Sequence, residues 1–146
     1  MAPSNAPQTL REKFAGVWML RRDIYDLDSE WIGRFQGQAT FNLRGDDALD
    51  YHEEGKLAFG GLTAMTATRD YSWHFPGAGR VAVAFDDGRP FHEFDARQTR
   101  AEASHYCDPD DYAVTYDFAK WPEWRAEWRV EGPRKDYRMV SIFTRP

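Results

Sequence analysis

A single cysteine, Cys107, stands among the 146 residues, so the chain has no internal disulfide and no cysteine-rich zinc site. Nor is there an excess of positive charge. Nineteen Lys and Arg against 24 Asp and Glu give a formal net charge of -5, and general nucleic-acid binding needs a basic face. No apolar run is long enough to span a membrane. The opening residues, Met1 to Pro7, lack the basic start and apolar core of a signal peptide. No stretch carries the periodicity of a long helix, and no segment repeats. These absences predict a cytoplasmic protein, a monomer or homodimer, with neither nucleic acid nor membrane as partner.

Aromatic residues, by contrast, are abundant: 6 Trp, 7 Tyr and 10 Phe. Such side chains favour strands, and they also line concave ligand sites. They sit in alternating patterns, the longest of which runs from Leu49 to Phe75. Its first arm, Leu49 to Phe59, switches between apolar and polar with period two, as does its second, Ala64 to Phe75. Gly60-Gly61 between them is the turn signal, so the spacing predicts one long β-hairpin. With Leu62 in the turn, Phe59 is expected opposite Thr63. The ladder then pairs Leu57 with Met65, Gly55 with Ala67, Glu53 with Arg69, Tyr51 with Tyr71 and Leu49 with Trp73. The middle of this apolar face carries a carboxylate opposite a guanidinium. A buried charge is costly unless paired, so Glu53 and Arg69 are expected to form an ion pair.

Residues 1–8, with two prolines and small polar side chains, have the composition of a disordered lead-in, which leaves 9–146 as one domain. Thr9, with Glu12 three residues on, has the spacing of a capping box for a short helical turn through Phe14. Trp18, Leu20, Arg22 and Ile24 share one face of the first strand, so Arg22 points with the apolar set. In the second strand Phe35, Gly37, Ala39, Phe41 and Leu43 alternate with polar residues, one face dry and one wet. Gly37 marks a place where such a strand bends. Asp87-Gly88 predicts a tight hairpin with Val81 opposite Phe94, Val83 opposite His92 and Phe85 opposite Pro90. A four-residue loop around Asp108-Pro109-Asp110 would set Cys107 opposite Tyr112 and His105 opposite Val114. The segments Trp124 to Glu131 and Tyr137 to Phe143 complete about ten strands in sequential hairpins. A meander of that length must close or stack to hide its edges. An all-β, antiparallel up-and-down barrel is expected ahead of a two-sheet sandwich.

Gly16-Val17-Trp18 on the first strand resembles the G-x-W signature of the lipocalin and wider calycin superfamily. The resemblance implies a barrel in which Trp18 packs across the closed end against an arginine from a late strand, Arg138 or Arg145. The second lipocalin signature, T-D-Y, is absent. A closer likeness runs through Phe14-x-Gly-x-Trp18, Tyr51-x-Glu-x-Gly55, Arg69-x-Tyr71, Asp87-Gly-Arg-x-Phe-His92, His105-x-Cys107 and Gly132-Pro-Arg-Lys-Asp-Tyr137. Together these resemble an uncharacterised bacterial family of calycin-like domains. That likeness covers nearly the whole chain and implies a fold without an established activity.

Strand parity sends a polar set inward: Arg22, Glu53, Arg69, His92, His105 and Cys107, with Tyr112 and Tyr116. Cations and potential cations around one carboxylate suit an anionic ligand, and Arg69 is the planar, permanently charged fork for its carboxylate or phosphate. Tyr51, Tyr71, Trp73 and Trp128 are expected around that ligand, and Lys135 is expected to reach over the barrel mouth. The predicted function is binding of a small, partly apolar, anionic molecule inside the barrel. Each residue also has a plainer role: a register-fixing ion pair, a buried histidine, an inert core cysteine, a packed tryptophan. One alternative is a cofactor-independent isomerase, cyclase or lyase, in which Glu53, His92 or His105 moves a proton while Arg69 holds the substrate's charge. Another is haem or metal binding through His92 or His105, since some calycin-like ten-stranded barrels hold haem by one axial histidine. No covalent haem motif is present, the set His92, His105 and Cys107 has unspecific spacing, and no cofactor is expected.

Overall fold

Alternation gives each strand one dry face, and a sheet of ten strands buries ten dry faces by curling on itself. The computed structural model, which describes residues 8–146, has that form. A short helix, α1 (Leu10–Phe14), leads into β1 (Gly16–Asp26), β2 (Trp31–Arg44), β3 (Ala48–Phe59), β4 (Met65–Gly77) and β5 (Arg80–Phe85). Then come β6 (Pro90–Asp95), β7 (Arg100–Cys107), β8 (Asp110–Asp117), β9 (Trp124–Glu131) and β10 (Asp136–Thr144). The hydrogen-bonded order is β6-β5-β4-β3-β2-β1-β10-β9-β8-β7. Neighbours are consecutive in the chain except β1 and β10, whose antiparallel ladder brings the two ends of the sheet-forming chain together. β6 and β7 are the two edges, so the barrel is nearly closed. This is the antiparallel all-β barrel that the alternation predicts. The expected lead-in lies outside the described residues, Gln8 apart.

The central hairpin pairs as its alternation requires, from Leu57 with Met65 through Glu53 with Arg69 to Leu49 with Trp73. Its tip differs. Phe59 pairs with Gly33 on β2 rather than with Thr63, because Leu62 N–H donates to the Phe59 carbonyl and the turn runs on to Met65. In the β5–β6 hairpin Val81 meets Phe94 and Val83 meets His92, but a bulge sets Pro90 opposite Ala84 instead of Phe85. Proline has no N–H to give the ladder, and Phe85 N–H donates instead to the Arg89 carbonyl at 2.9 Å. The β7–β8 turn is tighter than a four-residue loop, with Cys107 opposite Asp110 and His105 opposite Tyr112. That register differs from the expected one by two residues, so every side chain keeps its face.

α1 plugs one end of the barrel. Thr9 Oγ1 accepts from Glu12 N–H at 3.1 Å, the predicted cap. Phe14 is buried, with the rings of Trp73, Phe118, Trp121 and Trp124 edge-on to it at 5.1 to 5.8 Å. Trp18, also buried, donates to the Phe14 carbonyl at 2.8 Å. Of the two arginines that the resemblance admits, Arg145 covers Trp18, its guanidinium carbon 3.6 Å from the ring centre. It also donates to the carbonyls of Lys13, Ala15 and Val17 at 2.8, 3.1 and 3.0 Å. Arg138 lies over Tyr25 and binds Glu127. With this end sealed, polar groups gather in the middle and toward the other.

Candidate functional site

Arg22 on β1 and Glu53 on β3 both point inward and are both buried. They form a two-pronged ion pair: Nη1 donates to Oε2 at 2.7 Å and Nη2 to Oε1 at 3.1 Å. Arg22 Nε donates to Ser141 Oγ at 2.7 Å, and the Tyr51 hydroxyl donates to Glu53 Oε1 at 2.9 Å. Burial alone would lower the Arg22 pKa, yet the adjacent carboxylate holds it above its ordinary value. Burial would likewise raise Glu53, but the charge and hydrogen bonds of Arg22, helped by Arg69 and Tyr51, hold it below. Both groups are therefore ionised at neutral pH. This corrects the expected Glu53–Arg69 pair. The ladder does set those two opposite each other, but Glu53 gives both oxygens to Arg22, and Arg69 is exposed.

Above the pair lies a cavity walled by Tyr51, Tyr71, Trp73, Phe91, Tyr116, Trp124 and Trp128, with Arg22, Glu53, Arg69, His92, Met139 and Ser141 among the remaining lining residues. Its empty space is about 490 Å³ counted out into solvent, of which about 50 Å³ admits the centre of a water molecule. A second space of about 80 Å³ by that measure adjoins it and shares Arg22, Glu53, Arg69 and Met139. One water needs roughly 10–15 Å³ of such space, so small molecules fit. Arg69 and Met139, both long unbranched side chains, border both spaces. Among the described residues Arg69 forms no salt bridge, whereas Arg22 and Glu53 have each other.

His92, on β6, is buried in the same wall, and its Nε2 lies 2.7 Å from the Tyr116 hydroxyl. Burial, with nearby His105 adding to it, pushes the His92 pKa down to about 3, so the ring is neutral. Burial raises the Tyr116 phenol above its ordinary value. His92 Nδ1 and Trp124 Nε1 are both buried without a hydrogen-bond partner.

The structure thus brings together Arg22, Tyr51, Glu53, Arg69, Tyr71, Trp73, His92, Tyr116 and Trp128 of the residues expected at the site. Three others lie away from the cavity, as does Tyr112, whose hydroxyl accepts from Lys135. His105 is half-buried behind Phe91, whose ring centre is 4.6 Å from that of His92 and 5.3 Å from that of His105. Cys107 shares the inward parity but sits at the last position of β7, where the strand has run past the barrel wall, and is exposed. Lys135 does not line the cavity. Its ammonium binds Asp110 at 3.2 Å and the Tyr112 hydroxyl at 3.3 Å, and that contact takes up its charge. Sequence reasoning missed Met139 and Ser141, although alternation along β10 from Phe143 places both on its inward face.

The donor set also bears on cofactors. Among the described residues no three His, Cys, Asp or Glu side chains gather as a metal-ligand set, His92, His105 and Cys107 included. Haem does not fit these residues as they stand. Cofactor pockets take up roughly 300–1,000 Å³, far more than the space of about 50 Å³ open to a water-sized centre here, and the Nε2 of His92 is engaged by Tyr116. Among the described residues no helix is long and apolar enough to cross a membrane.

The fold is a ten-stranded antiparallel barrel, plugged at one end by a helix and a Trp–Arg pair. The chain belongs to the DUF6314 family, a family of unknown function whose pattern matches residues 14–145. In fold it is similar to an S-type phycobiliprotein lyase from Guillardia theta. The two are 8% identical with a TM-score of 0.62, over 93% of this chain and 90% of that one. It is similar also to a redesigned β-barrel, mFAP1, bound to DFHBI, at 11% identity and a TM-score of 0.50, over 92% of this chain and 97% of that one. A third likeness is EF1p2_mFAP2b bound to DFHBI, at 8% identity and 0.51, over 92% and 94%. At such identities the likeness is one of fold. Among curated proteins, none matches the sequence.

Proposed function

We propose that this barrel binds a small, partly apolar, anionic molecule in the cavity above the Arg22–Glu53 pair, with Arg69 receiving its negative group. One observation carries the reading. Arg22 and Glu53 cancel, His92 is neutral, and Arg69 has no salt-bridge partner among the described residues, so the lining bears one uncompensated positive charge. A guanidinium at the open side of an aromatic-walled cavity is a fork for a carboxylate or phosphate. The aromatic walls supply the apolar part of the contact. Barrels of this fold can hold a ligand, as the two bound to DFHBI do.

Binding is favoured over proton transfer because neither interior group is poised for it. A general acid or base works best with a pKa near the operating pH. Glu53 is held below its ordinary value by Arg22, and His92 lies far below neutrality. The test compares benzoate with its uncharged isostere benzamide, by NMR titration of the wild type and Arg69→Ala. Benzoate should bind the wild type about tenfold or more tighter than benzamide, the scale of one hydrogen bond to a charged group, and the variant should lose that preference. Equal affinities in both proteins would overturn the reading.

A further inference from the structure

We infer that the molecule bound in this cavity is a carboxylic acid carrying a carbonyl-type oxygen at the end remote from its carboxylate, and that this oxygen accepts a hydrogen bond from His92 Nδ1–H. The inference rests on the binding reading above and specifies the second polar group of the ligand.

A neutral imidazole has one donor and one acceptor nitrogen. The Tyr116 hydroxyl has no other hydrogen-bond partner among the described residues than His92 Nε2. If Nε2 carried the proton, it would donate to the phenol oxygen. The phenol hydrogen would then have no acceptor, and Nδ1 would be a bare, buried acceptor. If Tyr116 donates to Nε2, the phenol is satisfied and the only outstanding group is Nδ1–H. The second arrangement leaves one orphan instead of two, and buried orphans are costly. The cavity wall therefore holds an unpaired N–H donor. Trp124 repeats the pattern: its Nε1–H is a donor by chemistry, buried, and unpartnered in the same lining. Two buried donors without acceptors, beside a cavity, describe a site completed by oxygen atoms from outside the chain.

The fold also sets the ligand's direction. Trp73, Val83 and His92 share one row across β4, β5 and β6. Arg69 stands four residues from Trp73 along β4, about 13 Å of strand. Even with the arginine side chain folded back, anion and acceptor belong at opposite ends of the ligand. Tyr71 and Trp128 both stack on Phe91, so the wall between the two ends is aromatic and apolar.

The test sets benzoate against 4-acetylbenzoate, which adds a carbonyl across the ring from the carboxylate. Both are titrated by NMR into the wild type, Arg69→Ala, and the double variant His92→Phe/Tyr116→Phe, which leaves no orphan phenol. In the wild type 4-acetylbenzoate should bind about fivefold tighter, the scale of one neutral hydrogen bond. The advantage should vanish in the double variant and survive in Arg69→Ala, where both compounds weaken together. No advantage in the wild type, with both compounds still weakened by Arg69→Ala, would overturn this inference and leave the anion-binding reading standing. Affinities indifferent to Arg69, or no binding at all, would remove the anion-binding reading and this inference with it. A second measurement does not depend on the variant folding. Nitrogen NMR of the wild-type histidines should find the His92 proton on Nδ1, and its resonance should move with 4-acetylbenzoate but not with benzoate. A proton on Nε2 would overturn the inference directly.

Discussion

Arg22 grips Glu53 across an intervening strand. β2 lies between β1 and β3, so the strands that carry the two residues stand about 9–10 Å apart, and the residues are offset by four positions along them. The ladders place Arg22 beside Phe35 and Glu53 beside Ala39. The residue of β2 between those two rows is Gly37, which places no side chain between the guanidinium and the carboxylate. The Tyr51 and Ser141 hydroxyls complete the network, so a pair that would be costly in isolation has its hydrogen-bonding groups occupied.

Removing one partner of this pair is therefore expected to harm the fold more than removing both. Glu53→Gln leaves a buried guanidinium without its counter-charge and should cost about 3–5 kcal/mol of unfolding free energy. Arg22→Met should cost a similar amount by stranding the carboxylate. The double variant should be markedly less unstable than the sum of the two, because the second change removes the stranded charge left by the first. Urea unfolding of the four proteins checks this. Simple additivity would mean that the two charges are not coupled.

Gly37 has a second task. A Cβ built there would lie 2.0 Å from the Glu54 carbonyl oxygen and 2.5 Å from Gly55 Cα, its ladder partner. Neither obstacle is the end of a flexible side chain, so β2 and β3 would have to separate. Gly37→Ala should destabilise by about 1–3 kcal/mol, as overpacking does. Gly61→Ala, at a turn position with nothing within 4 Å of the added carbon, should stay within about 0.5 kcal/mol. Equal costs in thermal or urea unfolding would remove the close-approach argument.

The same glycine marks where sequence reading stopped. Alternation along each strand is a local property, so the ten strands, their inward faces and the Glu53–Arg69 ladder position were all legible. The partner of Glu53 was not, since Arg22 is two strands away in the sheet and ladder reasoning pairs only adjacent strands. Turn details failed for a related reason. Pro90 opposite Ala84 and Cys107 opposite Asp110 depend on a bulge and on loop length, which flanking alternation does not encode. The one-residue slip at Pro90 lies beyond the Val83–His92 pair, which was read correctly, and the two-residue error at Cys107 kept its face but not its exposure. Parity knows the face of a strand but not where the barrel wall ends.

Arg145 is the residue to test at the closed end. It stacks on Trp18 and holds three carbonyls around the junction of α1 and β1. Arg145→Ala should lower stability by about 1–2 kcal/mol and speed amide exchange at Lys13 to Val17. Arg145→Lys should recover little of either, because a single ammonium cannot cover the ring and span three carbonyls as the planar fork does. Full recovery by lysine would reduce the contact to one of charge.

Acid should unfold the barrel earlier than its carboxylates alone would. Glu53 is depressed in the folded state, so its contribution is lost only as pH falls below the ordinary value of 4.5 toward its lower folded pKa. His92 acts sooner. Unfolded, it takes up a proton near pH 6.5; folded, burial denies it that proton until about pH 3. Between those values the unfolded chain binds one more proton than the native one, and stability falls with decreasing pH by about 1.4 kcal/mol per unit. Comparing wild type with the double variant His92→Phe/Tyr116→Phe by urea unfolding from pH 6.5 to 5 isolates this contribution above the range where Glu53 titrates. The wild type should show the steeper loss by that amount. Equal slopes would mean that His92 protonates in the folded barrel as it does in water, so that its Nδ1 is reached by solvent and is not waiting for a ligand.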